Sequence, residues 1–396
     1  MDKVCVVGLG KAGLPLACVI ADSEVEVVGL DIDAEKVTKL RKKINPIPEE
    51  PGISEILQRT VGKNFSFATD YNEVKDCNVY IVIVPLFIDE NKKCDFSILE
   101  NAFLNVGKVL KKDDLVVLET TVPPKTTETF VRSILENASG LTAEEDFYLA
   151  YSPERIMTGY SISRYKEFPK VAGGITNRAT EKAVQLYKKF CKAVKPVKNA
   201  RTAELVKVAE GIYRDCNIAL SNELIKVCDH FDVDFWEMRA KANHDFCNIL
   251  EGGNVGGHCI PVYPWFVINE MDVPLMKTAR LLNDGMVDYY VNKLVQKIGK
   301  SGKIGIVGLS FREGVKEHAY TRSIPLTDAL RAKNYEVFGI DPLYNDDEIR
   351  KIFKIEPIKN FEELNCIIIM NKNKEYVKDL LKVKDKVIDI KNILNS

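Results

Sequence analysis

One thiol in this chain sits among glycines: Gly256-Gly257-His258-Cys259-Ile260-Pro261. A cysteine can attack a carbonyl and carry the product as a covalent adduct. Glycines crowd the approach to Cys259, so a ligand could come close to its sulfur. The other reading is a packed thiol in a turn, because most free cysteines behave as small buried hydrophobes. A second constellation opens the chain, where Gly8-x-Gly10-x-x-Gly13 follows an apolar run and begins a helical one. Gly8 allows the tight turn, Gly10 lets the backbone approach a pyrophosphate, and Gly13 lets helix and strand pack closely. The helix N-terminus then turns its positive dipole end to the phosphates. Leu9, Lys11 and Ala12 complete that loop. Asp31 lies 18 residues after Gly13, at the end of the next strand. A carboxylate there accepts hydrogen bonds from both ribose hydroxyls and repels a 2′-phosphate, so NAD is favoured over NADP. FAD shares this fingerprint and is the lesser alternative; a turn kept only for packing is the bland one.

These residues need elements to hold them. Val4–Val7, Glu26–Leu30, Val79–Val84, Leu115–Leu118 and Phe147–Ala150 are short apolar runs separated by amphipathic stretches. Such a pattern predicts buried parallel strands with helices on both faces of the sheet. Between Asn199 and Phe231 the period changes. Leu205, Val208, Ile212, Cys216, Ala219, Leu224 and Val227 recur at helical spacing, which predicts one long helix interrupted only by Gly211. More helix is expected from Pro274 to about Lys297. The strand-turn-helix pattern then restarts at Lys303–Val307 and continues through Glu336–Ile340, Cys366–Met370 and Val387–Ile390. The fold class is therefore α/β: two Rossmann-like parallel-sheet domains joined by a helical middle domain with a long central helix. The expected boundaries are 1–198, 199–298 and 299–396. VVGLG at 6–10 and IVGLS at 306–310 echo each other at the level of fold.

Composition narrows the partners. A net charge of −1 gives no basic excess to suggest nucleic acid. The longest apolar stretches fall short of the roughly 20 residues that span a bilayer. Ten scattered cysteines without C-x-x-C spacing, and no signal-peptide pattern after Met-Asp-Lys, lead us to expect free thiols in a reducing cytoplasm. The four histidines show no metal-ligand spacing, and a zinc site is not expected.

Several blocks carry a likeness that spans nearly the whole chain: GLGKAGLP at 8–15, EPGI at 50–53, VPLF at 84–87, TTVPPKTTE at 120–128, SPERIMTG at 152–159, AELVK at 203–207 and GGHCIP at 256–261. In identity and order they resemble the UDP-glucose/GDP-mannose dehydrogenase family. PER and GGHCIP resemble the branch acting on UDP-N-acetylhexosamines, with UDP-N-acetyl-D-mannosamine the sugar best implied. The resemblance implies a four-electron oxidation at sugar C6, in which two NAD are reduced and Cys259 holds first a thiohemiacetal and then a thioester. A thiol is useful there because it retains the aldehyde and activates the acyl group toward water. Lys207 matches an active-site lysine that can stabilise an oxyanion; otherwise it is a surface helix lysine. Glu154 matches an acid linked to thioester hydrolysis, or is a carboxylate favoured at a helix start. Thr121 matches a threonine near the nicotinamide and the reacting carbon, or caps a turn before Pro123. Lys36, Val84 and Pro85 match cofactor contacts. Arg155, Asn248, Gly256 and His258 match substrate contacts, although Arg155 could equally be a surface ion pair and His258 could support the thiolate. In GLSFREGVKEHAYTRS at 308–323, Arg312 and Arg322 match diphosphate and uridine contacts, since guanidinium forks suit phosphate. A homodimer or larger assembly through the central helix is also implied.

The chain departs from the family pattern twice. An aspartate four residues after the cysteine is here Tyr263, and an asparagine four residues after the lysine is here Gly211. The first leaves the general base open between a water held by Thr121 and Lys207 and Tyr263 itself. The second removes an oxyanion hydrogen bond and can bend the helix. Three rivals stay open. UDP-glucose, UDP-N-acetylglucosamine or GDP-mannose could be the substrate. A hydroxy-acid dehydrogenase needs no cysteine and lacks a second α/β domain. A non-catalytic nucleotide-sugar binder would keep the fold without the chemistry.

Overall fold

The computed structural model describes residues 2–157 and 159–395. Among them the chain forms two compact units, Met1–Glu210 and Gly211–Ser396, and the division falls within one continuous helix, Ala200–His230.

In the first unit, neighbouring side chains of the strand Lys3–Val7 go to opposite cores. Val4 and Val6 join one apolar cluster, while Cys5 and Val7 join the other. A strand buried on both faces must be apolar at every position, which is why these runs do not alternate. The sheet runs in the order Val194–Pro196, Lys170–Gly174, Tyr148–Tyr151, Leu115–Leu118, Val79–Val82, Lys3–Val7, Glu26–Leu30, Phe65–Ala68. The chain leaves Lys3–Val7 towards one edge and returns to Val79–Val82 on its other side. That reversal opens a crevice beyond the C-terminal ends of these two strands, where ligands of open α/β sheets bind. The helix Gly13–Asp22 starts there, buried along Gly13–Ala21. The sheet is not wholly parallel: Lys170–Gly174 runs antiparallel to Tyr148–Tyr151, and Val194–Pro196 follows it in parallel. Phe65–Ala68, Lys170–Gly174 and Val194–Pro196 lie outside the runs read from the sequence.

The second unit has a smaller parallel sheet, ordered Glu356–Pro357, Glu336–Ile340, Lys303–Val307, Cys366–Ile369, Val387–Asp389. The long helix begins behind Asn199, whose Oδ1 accepts from the Thr202 amide at 3.0 Å. Beyond its end, Asp232 takes a left-handed φ of 55° that stops further helix. Val208, Ile212 and Ala219 are buried, whereas Leu205 and Val227 of the same expected stripe are exposed. The helix expected from Pro274 to about Lys297 is present in two pieces, Pro274–Asp284 and Met286–Ile298. Gly285 separates them with ψ −6°, and glycine is a poor helix former. The two pieces also serve different neighbours. Arg280 and Asn283 bond to the long helix, while Met286, Tyr290 and Leu294 pack into the core of the small sheet. No helix among the described residues is long and apolar enough to cross a membrane.

Candidate active site

The cofactor loop can be tested glycine by glycine. Gly8 has φ +95°, and a Cβ there would lie 2.8 Å from the carbonyl oxygen of Ile83. A Cβ on Gly13 would lie 1.8 Å from the carbonyl oxygen of Gly8. Both glycines are therefore demanded by the protein's own packing. Gly10 is exposed, and a Cβ there would meet nothing within 4 Å. Nothing in the fold requires glycine at that position, and the backbone there is left open to approach. Asp31 is buried and anchored: Oδ2 accepts from the Leu9 amide at 2.8 Å and Oδ1 from the Asp33 amide at 2.9 Å. Lys36 donates to Oδ2 at 2.8 Å, so the lysine expected at the adenosine end is an ion-pair partner of Asp31. Lys11 pairs with Glu49 at 3.6 Å, and the Ala12 carbonyl accepts from the Tyr165 hydroxyl. Val84 lies beside Gly8, its carbonyl accepting from Thr120 Oγ1 at 2.6 Å, and Pro85 is exposed next to it.

Three buried glutamates hold the neighbouring loops of this unit, and sequence reading gave them no role. Glu204, fully buried, accepts from the Lys125 amide at 2.6 Å and from the Thr127 amide and hydroxyl at 2.8 and 2.7 Å. It thereby pins the loop that starts at Thr121 to the helix carrying Lys207. Burial pushes its carboxyl above the usual range, against the pull of the Thr127 bonds. Glu119 follows the strand Leu115–Leu118 and pairs with Lys170 at 2.7 Å; Tyr187 donates to its other oxygen at 2.5 Å. Lys170 also donates to the Pro153 carbonyl at 3.1 Å, directly before Glu154. Glu50, in EPGI, accepts from the amides of Gly159 and Ser161 and from the Ser161 hydroxyl. The clue in the sequence was position, since Glu50 and Glu204 stand inside blocks that carry the family likeness and Glu119 immediately precedes one.

Those anchors bear on the expected catalytic residues. Thr121 is buried at 8% exposure and Lys207 at 9%, so Lys207 is not the surface lysine of the alternative reading. The Glu154 carboxylate turns back on the Ile156 amide. Arg155 is held in an ion pair with Glu210 and donates to the Pro169 carbonyl at 3.0 Å, the alternative the sequence left open. Thr158 of the same block lies outside the described residues.

In the second unit, Cys259 heads a helical turn. The amides of Val262 and Tyr263 donate to its carbonyl at 3.2 and 3.0 Å, and the Tyr263 hydroxyl donates to its Sγ at 3.2 Å. Of the ten cysteines, all described, Cys259 alone is exposed. The glycines before it have a different purpose from the one expected. A Cβ on Gly256 would lie 2.9 Å from the Tyr320 carbonyl oxygen, and one on Gly257 would lie 2.8 Å from the Phe311 ring. They let this loop pack against residues 311–320. Cys259, which follows them, is itself exposed. His258 faces the same segment, 3.5 Å from a Glu317 carboxylate oxygen and edge-on to Tyr320. Asn248 is exposed beside the bridge between His244 and Cys247.

Behind the thiol loop lies a buried polar chain. Asn222 accepts from the Gly253 amide at 2.6 Å and donates to Asn283 at 2.8 Å; Asn283 and Arg280 both donate to Asp215. Arg280 also pairs with Asp284, which in turn holds Arg322. Arg322 is largely buried against the Asp284 carboxylate and carbonyl, and burial lowers its affinity for a proton. Arg312 lies over the Phe311 ring at 5.8 Å. The small sheet repeats the Asp31 anchor: Asp341 accepts from the amides of Leu309 and Ser310 at 2.8 and 2.9 Å, as Asp31 does from Leu9.

Comparison with known proteins matches three domains of one family along the chain. Residues 2–191 match the NAD binding domain of the UDP-glucose/GDP-mannose dehydrogenase family, 201–285 its central domain and 305–396 its UDP binding domain. The chain is 34% identical to a UDP-N-acetyl-D-mannosamine dehydrogenase of Methanococcus aeolicus, covering 100% of this chain and 92% of that one. It is 33% identical to a protein of the same description from Campylobacter jejuni, over 95% and 96% of the two chains. Among solved structures it is similar to a UDP-D-ManNAc dehydrogenase of Pyrococcus horikoshii, with TM-score 0.88 and 28% identity over 99% and 96%. The chain belongs to the UDP-glucose/GDP-mannose dehydrogenase family and is an NAD-dependent nucleotide-sugar dehydrogenase.

Proposed function

We propose that this chain oxidises C6 of a UDP-N-acetylhexosamine, UDP-N-acetyl-D-mannosamine foremost, to the uronic acid through covalent adducts on Cys259. The observation that carries the reading is the solitary exposure of Cys259 among ten cysteines. A dehydrogenase stopping at the aldehyde has no use for such a thiol. Bound NAD supplies the hydride acceptor, and alcohol to carboxylate takes two of them. The chain's own groups do the rest. The Cys259 sulfur adds to the aldehyde carbon, so a C–S bond forms and the carbonyl pair moves to oxygen. Lys207 is the cation that stabilises that oxygen. Loss of the second hydride leaves a thioester, and water displaces the sulfur with Glu154 assisting. Thr121 is assigned to the nicotinamide and the reacting carbon, as its match in the family implies. Asp31 holds the adenosine ribose; Arg312, Arg322, His258, Gly256 and Asn248 recognise the nucleotide sugar. The relatives named for UDP-N-acetyl-D-mannosamine support this choice of sugar.

We assign residues 1–198 to NAD, 199–298 to the catalytic cysteine and 299–396 to UDP. Assembly as a homodimer through the long helix is supported by Tyr213, Leu220 and Val227. They are exposed at 58%, 51% and 47%, and their seven-residue spacing makes one stripe. The deciding experiment is NADH formed per UDP-N-acetylmannosamine consumed, with Cys259→Ser beside the parent. Two NADH per sugar from the parent and stalled turnover in the variant are expected. One NADH per sugar, or a variant with parental turnover, would sink the covalent mechanism. Inertness toward UDP-N-acetylmannosamine, UDP-glucose, UDP-N-acetylglucosamine and GDP-mannose would leave the binder.

A further inference from the structure

We infer that Tyr263 is a catalytic residue whose phenol holds the Cys259 sulfur as its hydrogen-bond donor, and that Gly211 exists to seat it. The inference rests on Cys259 being the nucleophile, but its test does not rest on the choice of sugar. The geometry begins with the turn at 259–263, where the Tyr263 amide donates to the Cys259 carbonyl at 3.0 Å. Residues four apart on a helical turn share a face, so the two side chains meet. The hydroxyl reaches Sγ at 3.2 Å, inside the range of an O–H bond to sulfur. The rest of the tyrosine is buried, with 8% of the residue exposed. The phenol is therefore fixed beside a cysteine that, as a residue, is exposed.

What fixes the ring is Gly211. A Cβ at that position would lie 2.7 Å from Tyr263 Cδ2 and 3.2 Å from its Cβ. No positive φ explains this glycine, since Gly211 is not among the residues with one. It lies inside a continuous helix, where glycine costs about 1 kcal/mol against alanine. The ring needs that space, and any side chain would move it. The two departures from the family pattern are thus one physical unit.

The chemical consequence follows from what sulfur accepts. A thiol is a weak acceptor and a thiolate a strong one, so a donated O–H favours the thiolate, the form that attacks carbon. The bond also aims the sulfur, because its remaining lone pairs point away from the ring.

The test is the rate at which iodoacetamide alkylates Cys259 at neutral pH, read by peptide mapping in the full chain with neither sugar nor NAD present. Tyr263→Phe keeps the ring and drops the hydroxyl; we expect alkylation slowed by roughly tenfold. Gly211→Ala keeps the hydroxyl but displaces it, and should slow the reaction similarly. The double variant should be no slower than either alone, as befits two changes to one interaction. In turnover, kcat should fall with little change in KM for the nucleotide sugar. Parental alkylation in Tyr263→Phe would overturn the inference, as would additive losses in the double variant. A parent that oxidises no nucleotide sugar, yet alkylates more slowly as Tyr263→Phe, would sink the substrate reading and leave this one standing.

Discussion

Gly10 and Gly13 belong to one motif, yet the structure predicts opposite consequences for the same added methyl. Gly13→Ala drives a Cβ to 1.8 Å from the Gly8 carbonyl oxygen, a backbone atom that cannot rotate away. Overpacking costs about 1–3 kcal/mol, and a clash with backbone belongs at the top of that range. Gly10→Ala meets nothing within 4 Å, and its φ is not positive, so the fold should change by no more than about 0.5 kcal/mol. The methyl would instead stand where the pyrophosphate approaches, and a tenfold loss of NAD affinity is about 1.4 kcal/mol. Denaturant unfolding with and without NAD separates the two. At NAD one hundred times the parental Kd, the parent gains about 2.7 kcal/mol from the ligand. Gly10→Ala should match the parent without NAD and gain about 1.4 kcal/mol or less with it. Gly13→Ala should be destabilised before any NAD is added. A Gly10→Ala chain that gains as much as the parent would refute the argument that a ligand, and not packing, demands this glycine.

Asp31→Asn frees Lys36 from its 2.8 Å ion pair and removes the charge that repels a 2′-phosphate, so the ratio of kcat/KM for NAD over NADP should fall at least about tenfold; an unchanged ratio would show that selectivity lies elsewhere. Glu204→Gln replaces an acceptor of three hydrogen bonds by a group with one oxygen, at a cost of about 1–3 kcal/mol. The Thr127 amide should then exchange with solvent faster than in the parent, and equal protection would argue against the anchor. Asp215 carries a pH dependence. Burial, only partly offset by Arg280, raises its pKa from 3.8 to about 6, so the folded chain keeps a proton that the unfolded chain has released. Its contribution is complete below the ordinary carboxylate range and is lost as the pH rises through the raised folded value. Urea unfolding of Asp215→Asn should lack that part of the decline between pH 4 and 6, and an identical slope would count against it.

The sequence carried the strands that are buried on both faces, because apolar runs such as Val4–Val7 and Leu115–Leu118 have no competing reading. It missed Val194–Pro196 and Glu356–Pro357, which are short and lie at sheet edges, where one side of the strand imposes no pattern. It gave helix from Pro274 to about Lys297 without the break at Gly285, since periodicity cannot tell that residues 274–284 and 286–298 face different neighbours. The glycine motifs show the same limit. At Gly8 and Gly13 the residue type disclosed the packing, whereas Gly256 and Gly257 signalled closeness without saying to what. Phe311 and Tyr320 are more than fifty residues away in the chain, and only the fold brings them there. The buried glutamates were illegible for a related reason. Glu204 looks like any helix glutamate until its partners, Lys125 and Thr127, are placed opposite it.

The repeat at the two ends of the chain shows why a shared turn does not assign a ligand. Gly8 and Gly308 have φ of +95° and +92°, and each is followed by a leucine whose amide binds an aspartate at the end of the next strand. At Asp31, Oδ1 accepts from a single amide, and the third partner is a lysine side chain that can move. A ribose diol can therefore be added to what the protein already supplies. At Asp341 the corresponding capacity is used internally. Oδ2 accepts from the Leu309 and Ser310 amides and from the Ser310 hydroxyl, and Oδ1 accepts from Leu343. Ser310 stands where the first loop has Gly10, and the Asn371 side chain occupies the space beside Gly308. The second turn is closed by its own side chains, so nucleotide recognition in that domain must come from residues outside it. That requirement directs attention to the segment 311–322, where Arg312 and Arg322 lie.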